Sequence, residues 1–319
     1  MGRDGRDAAT LMDDAAGGDR RAVARLLSMV ERGGDDARAA GALAHERSGR
    51  AYTVGITGAP GAGKSTLTSA LLGDIRGRGD RVSVLAIDPS SPFTGGAILG
   101  DRIRMQDHSL DEGVFIRSMA TRGHLGGLAL ATPQAVRVLD AAGFPWVLVE
   151  TVGVGQVEVE IVGAADTTVV VVNPGWGDAI QANKAGLMEI ADVFVVNKAD
   201  RPGADETRRD LEGMLDLTMP AEGAWRPPVL DAVATEGTGV AELWDTVQAH
   251  REHLERSGEL ERRRGRRACE ELTRIVAERL LARARQASEG DRFEQLLDEV
   301  ERRGTHPWAA ADELLGPPD

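Results

Sequence analysis

The sequence has little cysteine, little lysine, few aromatic side chains and no long apolar run. Of its 319 residues one is a cysteine, Cys269, and 3% are aromatic. A single cysteine excludes an intramolecular disulfide framework and a cysteine-rich metal site. No apolar run approaches the roughly 20 residues that a membrane-spanning helix needs. The N-terminal residues alternate charges without an apolar core, so we expect no secretory signal and a cytoplasmic protein.

Acidic residues outnumber basic ones, 51 to 38, and the formal net charge is −13. Because nucleic acids and anionic membranes attract proteins mainly through phosphate, this balance argues against both as partners. Only three of the 38 basic residues are lysines, Lys64, Lys184 and Lys198. Lysine is a compact point charge and arginine a planar fork. We therefore interpret each retained lysine as a place where the two are not interchangeable.

Two regions precede the C-terminal part of the chain. Residues 1–50 are polar and predict helices, with an apolar stripe that ends at Gly33-Gly34. Over residues 51–250, short apolar runs alternate with helical stretches. The runs are 52–57, 81–87, 114–119, 146–150, 167–173, 193–197 and 228–234. Continuous apolar runs are typical of parallel strands covered on both faces, so we predict a doubly wound, mostly parallel α/β domain.

Residues 251–319 predict a separate helical arm. Within it, Cys269, Leu272, Val276 and Leu280 share one face of a long amphipathic helix. That face either packs on its own domain or serves for dimerisation or for binding a partner.

The first predicted strand runs directly into a glycine-rich sequence that fits GxxxxGK[ST], and a helix follows. Main-chain N–H groups of such a loop surround phosphate oxygens, and the helix N-terminus adds a partial positive charge. We expect Lys64 to reach the β- and γ-phosphates of a nucleotide and the Ser65 hydroxyl to ligate Mg²⁺. The predicted phosphate-binding residues are Gly58, Ala59, Pro60, Gly61, Ala62, Gly63, Lys64, Ser65 and Thr66.

A second motif indicates the base. The run at 193–197 ends in Asn197-Lys198-Ala199-Asp200, which has NKxD spacing. A carboxylate at Asp200 can accept hydrogen bonds from the ring N–H and the exocyclic amine of guanine, and adenine offers neither in that arrangement. Since an unpaired buried carboxylate is costly, one side chain can supply this selectivity. The motif favours GTP over ATP.

These motifs, with several longer stretches, resemble the methylmalonyl-CoA-mutase-associated GTPases, the MeaB group, also named ArgK, in the SIMIBI class of P-loop proteins. The stretches are AIDPSSPFTGGAILGDRIRM (86–105), RSMATRGHLGGLA (117–129), VLVETVGVGQVEVEI (147–161), NPGWGDAIQANKAG (173–186), EIADVFVVNKAD (189–200) and HPWAAADELL (306–315). The resemblance implies a GTPase that chaperones an adenosylcobalamin-dependent acyl-CoA mutase, gating its cofactor loading and protecting it from inactivation. It also implies a homodimer.

Several carboxylates are candidates for holding the magnesium ion. Asp88 follows a strand, Asp101 lies in the glycine-rich loop after it, and Glu150 ends a strand at the Walker-B position. Mg²⁺ prefers oxygen ligands, so these side chains fit its shell beside Ser65, although an aspartate at a strand end also serves as a helix cap. Gln156 is the nearest amide able to orient an attacking water, or it is an ordinary loop hydrogen-bonding residue.

The guanine-side loop departs from the pattern of the resembled proteins. Val233-Ala234-Thr235 stands where they have Ser-Ala. The contact to the base carbonyl is normally a backbone N–H, so we expect base binding to survive the loss of the serine hydroxyl.

Lys184 belongs to neither nucleotide motif. It lies in the glycine-hinged segment that acts as a third switch in the resembled family. Our hypothesis is that Lys184, with Asp178 as its counter-ion or locking partner, moves towards the phosphates when the mutase docks and offsets charge in the transition state. The alternative is a surface lysine without a role.

Other functions share the fold class. A nickel- or cobalt-inserting metallochaperone GTPase needs a transferable-metal site, which one cysteine and dispersed histidines do not make. A transport-associated kinase of the ArgK type needs a phospho-acceptor pocket and a base. A nucleotide-dependent scaffold would show negligible turnover even beside its partner.

Overall fold

The computed structural model describes residues 7–88, 108, 110–120, 125–151, 165–175, 189–217 and 223–316. The chain divides into two compact units, one up to Arg264 and one from Gly265 onward. Within the described ranges, no helix combines the length and the apolar character needed to cross a membrane.

A parallel sheet forms the centre of the first unit. Its strands are β1 Tyr52–Gly58, β2 Val82–Asp88, β3 Val114–Ala120, β4 Trp146–Thr151, β5 Thr167–Val172, β6 Val193–Asn197 and β7 Val229–Ala232. The order across the sheet is β3-β2-β4-β1-β5-β6-β7, and all neighbouring strands run parallel. The predicted fold class is confirmed, and each predicted apolar run corresponds to one strand of this sheet.

Helices cover both faces of the sheet. Those of the first unit are α1 Ala8–Ala16, α2 Arg20–Arg32, α3 Gly34–Arg47, α4 Lys64–Gly77, α5 Leu125–Ala141, α6 Ala204–Asp216 and α7 Val240–Ser257. On one face, α1, α2, α3 and α5 bury their apolar side chains against β2, β3 and β4. On the other, α4 and α7 pack on the centre of the sheet. A third cluster joins α6 to β5, β6 and β7.

The sequence explains where α2 begins and where it ends. Asp19 caps α2 by accepting a hydrogen bond from the backbone N–H of Arg21. The apolar stripe of α2 is buried, and the helix ends where Gly33 adopts a φ of 73°. The sequence prediction of a helix stopped by the glycine pair therefore matches the structure.

The strand order determines where the site lies. β1 sits between β4 and β5, so the next strand in sequence after β1 lies on one side of it, and the next strand after β4 lies on the other. In open parallel sheets such a switch point leaves a crevice at the carboxyl ends of the strands. The chain segments that follow β1, β4, β5 and β6 all start at this edge, and they carry most of the predicted site residues.

The opposite, amino edge of the sheet carries buried charge. Asp166 and Asp192 immediately precede β5 and β6, and each is 7% exposed or less. Arg264 donates to Asp166 at 2.7 Å, and Arg263 donates to Asp192 at 3.0 Å. Both arginines belong to α8 Glu259–Ala287. The first turns of this helix are therefore fastened to the sheet by two ion pairs.

The second unit contains the rest of α8, with α9 Asp291–Glu301 and α10 Pro307–Leu315. An apolar groove of about 380 Å³ lies between the end of α8 and the two shorter helices, lined in part by Phe293, Leu296, Val300 and Leu314. Further apolar side chains of this unit stay exposed: Leu272, Val276, Leu280, Leu281, Leu297, Trp308 and Leu315.

Candidate functional site

Close backbone approaches determine the path of the loop between β1 and α4. Gly58 has a φ of 140°, and a Cβ on it would lie 1.9 Å from the carbonyl oxygen of Val171. Gly63 has a φ of 94°, and a Cβ there would lie 2.4 Å from Nδ2 of Asn197. Side chains cannot occupy either position without moving a neighbouring strand end or loop. Contacts inside the protein therefore require glycine at both positions, whether or not a ligand is bound.

Two of the three lysines of the chain contact this loop. Lys64, the first residue of α4, is buried and donates from Nζ to the carbonyls of Gly58 at 2.7 Å and Ala59 at 3.2 Å. Lys198 follows β6 and donates from Nζ to the carbonyl of Gly61 at 2.6 Å. Two ammonium groups therefore contact this loop, and their positive charge makes it a suitable place for phosphate oxygens.

Ser65 and Glu150 meet at the base of the loop. The Ser65 hydroxyl donates to Oε1 of Glu150 at 2.6 Å, and both residues are buried. Asp88 is the last residue of β2, which pairs with β4, so its backbone lies at the same edge. A hydroxyl and carboxylates are the oxygen ligands that Mg²⁺ prefers, and this donor set fits the ion.

Asn197 connects two loops. Its side chain is 2% exposed, donates from Nδ2 to the carbonyl of Ala62 at 2.8 Å and accepts at Oδ1 from the N–H of Ala234 at 3.2 Å. The sequence singled out Asn197 and Ala234 for contact with a base. The structure brings them together and joins both to the phosphate-binding loop.

The rest of the second motif forms a tight turn. Lys198 has a φ of 61°, and its carbonyl accepts from the N–H of Arg201. Asp200 is exposed, as is Thr235 in the loop after β7. The Val233–Thr238 segment is closed by a hydrogen bond from the N–H of Val233 to the carbonyl of Thr238. An exposed Asp200 at this edge remains able to accept hydrogen bonds from a ligand.

Several predicted site residues lie outside the described residues: Asp101, Gln156, Asp178, Lys184 and the side chain of Asp88. Among the side chains that the structure does describe, no group of three or more His, Cys, Asp or Glu residues could hold a metal ion.

Two threonines that were not predicted from the sequence, Thr57 and Thr151, lie beside the site. Thr57 directly precedes Gly58, and Thr151 directly follows Glu150. Both are buried, and the Thr151 hydroxyl donates to the Thr57 hydroxyl at 3.1 Å. Their positions, each next to a motif residue on a parallel strand, were the only signal available in the sequence.

Comparison with known proteins identifies the family. The family described as "Methylmalonyl Co-A mutase-associated GTPase MeaB" matches residues 23–289. The chain belongs to the MeaB family. It is 54% identical over 300 residues to a Pyrococcus abyssi protein whose name proposes a GTPase, and the match covers 93% of each chain. It is 39% identical over 238 residues to the GTPase ArgK of Escherichia coli, which covers 73% of this chain and 71% of the relative.

A solved structure extends the comparison to the fold. The crystal structure of a protein described as LAO/AO transport system kinase superposes with a TM-score of 0.72 and 27% identity, covering 96% of both chains. As a member of the MeaB family, with relatives named as GTPases, the chain is a GTPase. The loop, the two lysines and the Asn197 bridge provide a suitable frame for that activity.

Proposed function

We propose that this MeaB-family protein binds GTP with Mg²⁺ at the carboxyl edge of the sheet and couples hydrolysis to the service of an adenosylcobalamin-dependent acyl-CoA mutase. The mutase role is supported by the family description, which associates these GTPases with methylmalonyl-CoA mutase. In this proposal the protein gates cofactor loading and protects the mutase from inactivation. It holds no cobalamin itself and works in the cytoplasm.

The chemistry rests on the residues around the loop. Lys64 leaves the loop carbonyls and pairs with the β- and γ-phosphates, while main-chain N–H groups surround the phosphate oxygens. Ser65 and Glu150, with Asp88 and Asp101, would hold Mg²⁺, which supplies positive charge against the charge that develops on the phosphates. Lys198 and Asp200 hold the guanine. Gln156 is the candidate for orienting the attacking water.

We assign the activating group to the third switch segment. Lys184, released from Asp178, approaches the phosphates when the mutase docks and offsets transition-state charge. Lys184→Arg is the test, since the guanidinium keeps the charge and loses the compact shape. We expect unchanged basal GTP turnover and a reduced mutase-stimulated rate. A stimulated rate equal to that of the wild type would remove the assignment.

The homodimer is supported by the second unit. Leu272 is 62% exposed and Leu280 is 57% exposed, although both are large and apolar, and a groove lined by apolar side chains lies nearby in the same unit. Residues 265–287 carry six arginines against three glutamates, whereas residues 289–313 carry eight acidic residues against three arginines. A second copy offers both an apolar stripe and the opposite charge. Leu272→Asp with Leu280→Asp should shift the mass measured by light scattering from two chains to one.

Release of inorganic phosphate tests the function directly. We expect slow release from GTP and Mg²⁺ alone, and an increase of at least tenfold when a cobalamin-dependent acyl-CoA mutase is added. A cobalamin-independent acyl-CoA enzyme serves as the matched control and should leave the rate unchanged. If every cobalamin-dependent mutase tested fails to bind the protein or to change the rate, the mutase role is wrong, while the GTPase activity stands.

A kinase is the second candidate, because the solved relative that covers 96% of this chain is described as a transport system kinase. GTP labelled at the γ-phosphate separates the two functions. Label released as free phosphate supports hydrolysis, and label retained on a protein supports phosphoryl transfer.

A further inference from the structure

The backbone pairing of β1 and β4 ends one residue before the buried threonines. The parallel register runs from Tyr52 opposite Trp146 to Ile56 opposite Glu150. The next residue on each strand is Thr57 or Thr151, and here a side-chain hydrogen bond of 3.1 Å joins the strands. The last link between these two strand ends is therefore made by hydroxyl groups rather than by the main chain.

This link lies beside the residues proposed to hold the metal. Thr151 is covalently next to Glu150, whose carboxylate accepts from Ser65 at 2.6 Å. Thr57 is next to Gly58, where the phosphate-binding loop begins. Because side chains alternate along a strand, the threonine hydroxyls lie on the face opposite Glu150. The end of β4 is therefore held on one face by the bond from Ser65 of α4 to Glu150, and on the other by the bond from Thr151 to Thr57 of β1.

The hydrogen bond between the two threonines is buried, so it favours one relative position of the strand ends. Thr57 is 2% exposed and Thr151 is 0% exposed. A buried hydroxyl without a partner is costly, so the two side chains favour one relative position of the strand ends. Valine fills nearly the same volume as threonine and lacks the hydroxyl, so it removes this hydrogen bond and leaves the hydroxyl of the other threonine without it.

We propose that Thr57 and Thr151 are positioning residues for GTP hydrolysis, which keep the Glu150 carboxylate in register with Ser65. They touch neither the nucleotide nor the metal, and act through the backbone of the two strand ends. The proposal rests on the assignment of Ser65 and Glu150 to Mg²⁺ made above.

The experiment is steady-state GTP hydrolysis by the full chain as a function of both GTP and Mg²⁺ concentration. For Thr151→Val we expect kcat to fall about tenfold and the KM for GTP to stay within twofold. The Mg²⁺ concentration for half-maximal activity, and the Kd for Mg²⁺ measured by calorimetry on the GDP-bound protein, should both rise about fivefold. Thr151→Ser should restore all values, because it returns the hydroxyl. The double variant with Thr57→Val should be no worse than Thr151→Val alone, since both remove the same bond.

Thr168→Val is the matched control, because Thr168 is also a buried strand threonine but lies at the amino edge of the sheet. Its substitution should change neither kcat nor the Mg²⁺ dependence. If Thr151→Val folds poorly in a thermal melt, Thr57→Val measures the same bond from the other strand. Unchanged kcat and Mg²⁺ dependence overturn the proposal, as does a defect that serine does not restore.

Ser65→Ala, measured in parallel, separates this inference from the metal assignment. If Ser65→Ala raises the Mg²⁺ requirement and the threonine variants do not, the positioning role alone is wrong. If Ser65→Ala leaves the Mg²⁺ requirement unchanged, the metal assignment fails, and the positioning role fails with it.

Discussion

Asn197→Ala tests whether one amide holds the nucleotide site together before a nucleotide arrives. The side chain makes two hydrogen bonds inside the protein, to the carbonyl of Ala62 and from the N–H of Ala234. A buried hydrogen bond contributes about 1 kcal/mol net, so the loss of both costs about 2 kcal/mol. For a domain of this size, that loss lowers the Tm by roughly 4–8 °C.

The same change should weaken nucleotide binding. If the two loops must be brought back together on binding, about 2 kcal/mol corresponds to roughly a 30-fold loss of affinity for GDP, measured by calorimetry with Mg²⁺ present. A residue that contacted only the base would lower the affinity and leave the Tm of the nucleotide-free protein unchanged. A fall in both the Tm and the affinity for GDP therefore indicates that Asn197 joins the two loops.

Asn173→Ala is the matched control, because the amide of Asn173 donates only to the carbonyl of the adjacent Pro174 among the contacts described. We expect less than about 2 °C of change in its Tm. If Asn197→Ala melts within 1–2 °C of the wild type, or binds GDP within about twofold of it, the bridging argument is refuted.

Three further predictions concern the edges of the sheet. His250 is buried, and burial, with Arg263 and His253, lowers its pKa from 6.5 to about 3. Between about pH 6.5 and about pH 3 the unfolded chain binds a proton at this histidine and the folded chain does not. The free energy of unfolding should therefore fall as the pH falls. Urea titrations should show the wild type losing about 2 kcal/mol more than His250→Gln between about pH 7 and about pH 5, and equal losses would contradict this. Arg264→Ala removes the ion pair of the buried Asp166 carboxylate, which keeps its hydrogen bond from the N–H of Thr53, and should cost about 2–3 kcal/mol in urea unfolding; a cost below about 0.5 kcal/mol would show that the pair is dispensable. Asp200→Ala should lower GTP affinity at least tenfold and leave weak ATP binding unchanged, so equal losses for both nucleotides would remove its role in selectivity.

Apolar patterning was enough to predict the sheet. The run at 193–197 is continuous and is bounded by Asp192 and Lys198, and the structure has a fully buried strand there. Such runs indicate strands covered on both faces, whatever packs on them. The pattern gives no strand order, because order depends on contacts between residues far apart in the chain. The position of β1 between β4 and β5 therefore had to come from the structure.

The site was predictable where its residues form one continuous segment of the chain. Residues 58–66 are contiguous, so spacing alone defines a loop that begins at one strand and ends at a helix. The threonine pair is different, since Thr57 and Thr151 are distant in sequence and each is unremarkable by itself. The ion pairs of Arg263 with Asp192 and of Arg264 with Asp166 could not be predicted for the same reason, because each joins residues that are far apart in the chain.

The scarcity of lysine connects the sequence to the chemistry. Both lysines that the structure describes donate their ammonium groups to carbonyls of one loop, Lys64 to Gly58 and Lys198 to Gly61. Lys64 is buried, and its three donors point from a single atom, a geometry that a planar guanidinium cannot reproduce in the same space. Arginine supplies 35 of the 38 basic side chains, so lysine at both of these positions is consistent with a need for the compact ammonium. Lys64, a buried ammonium on the loop that we propose to bind phosphate, is the physical precedent for our proposal that the compact charge of Lys184 also acts at the phosphates.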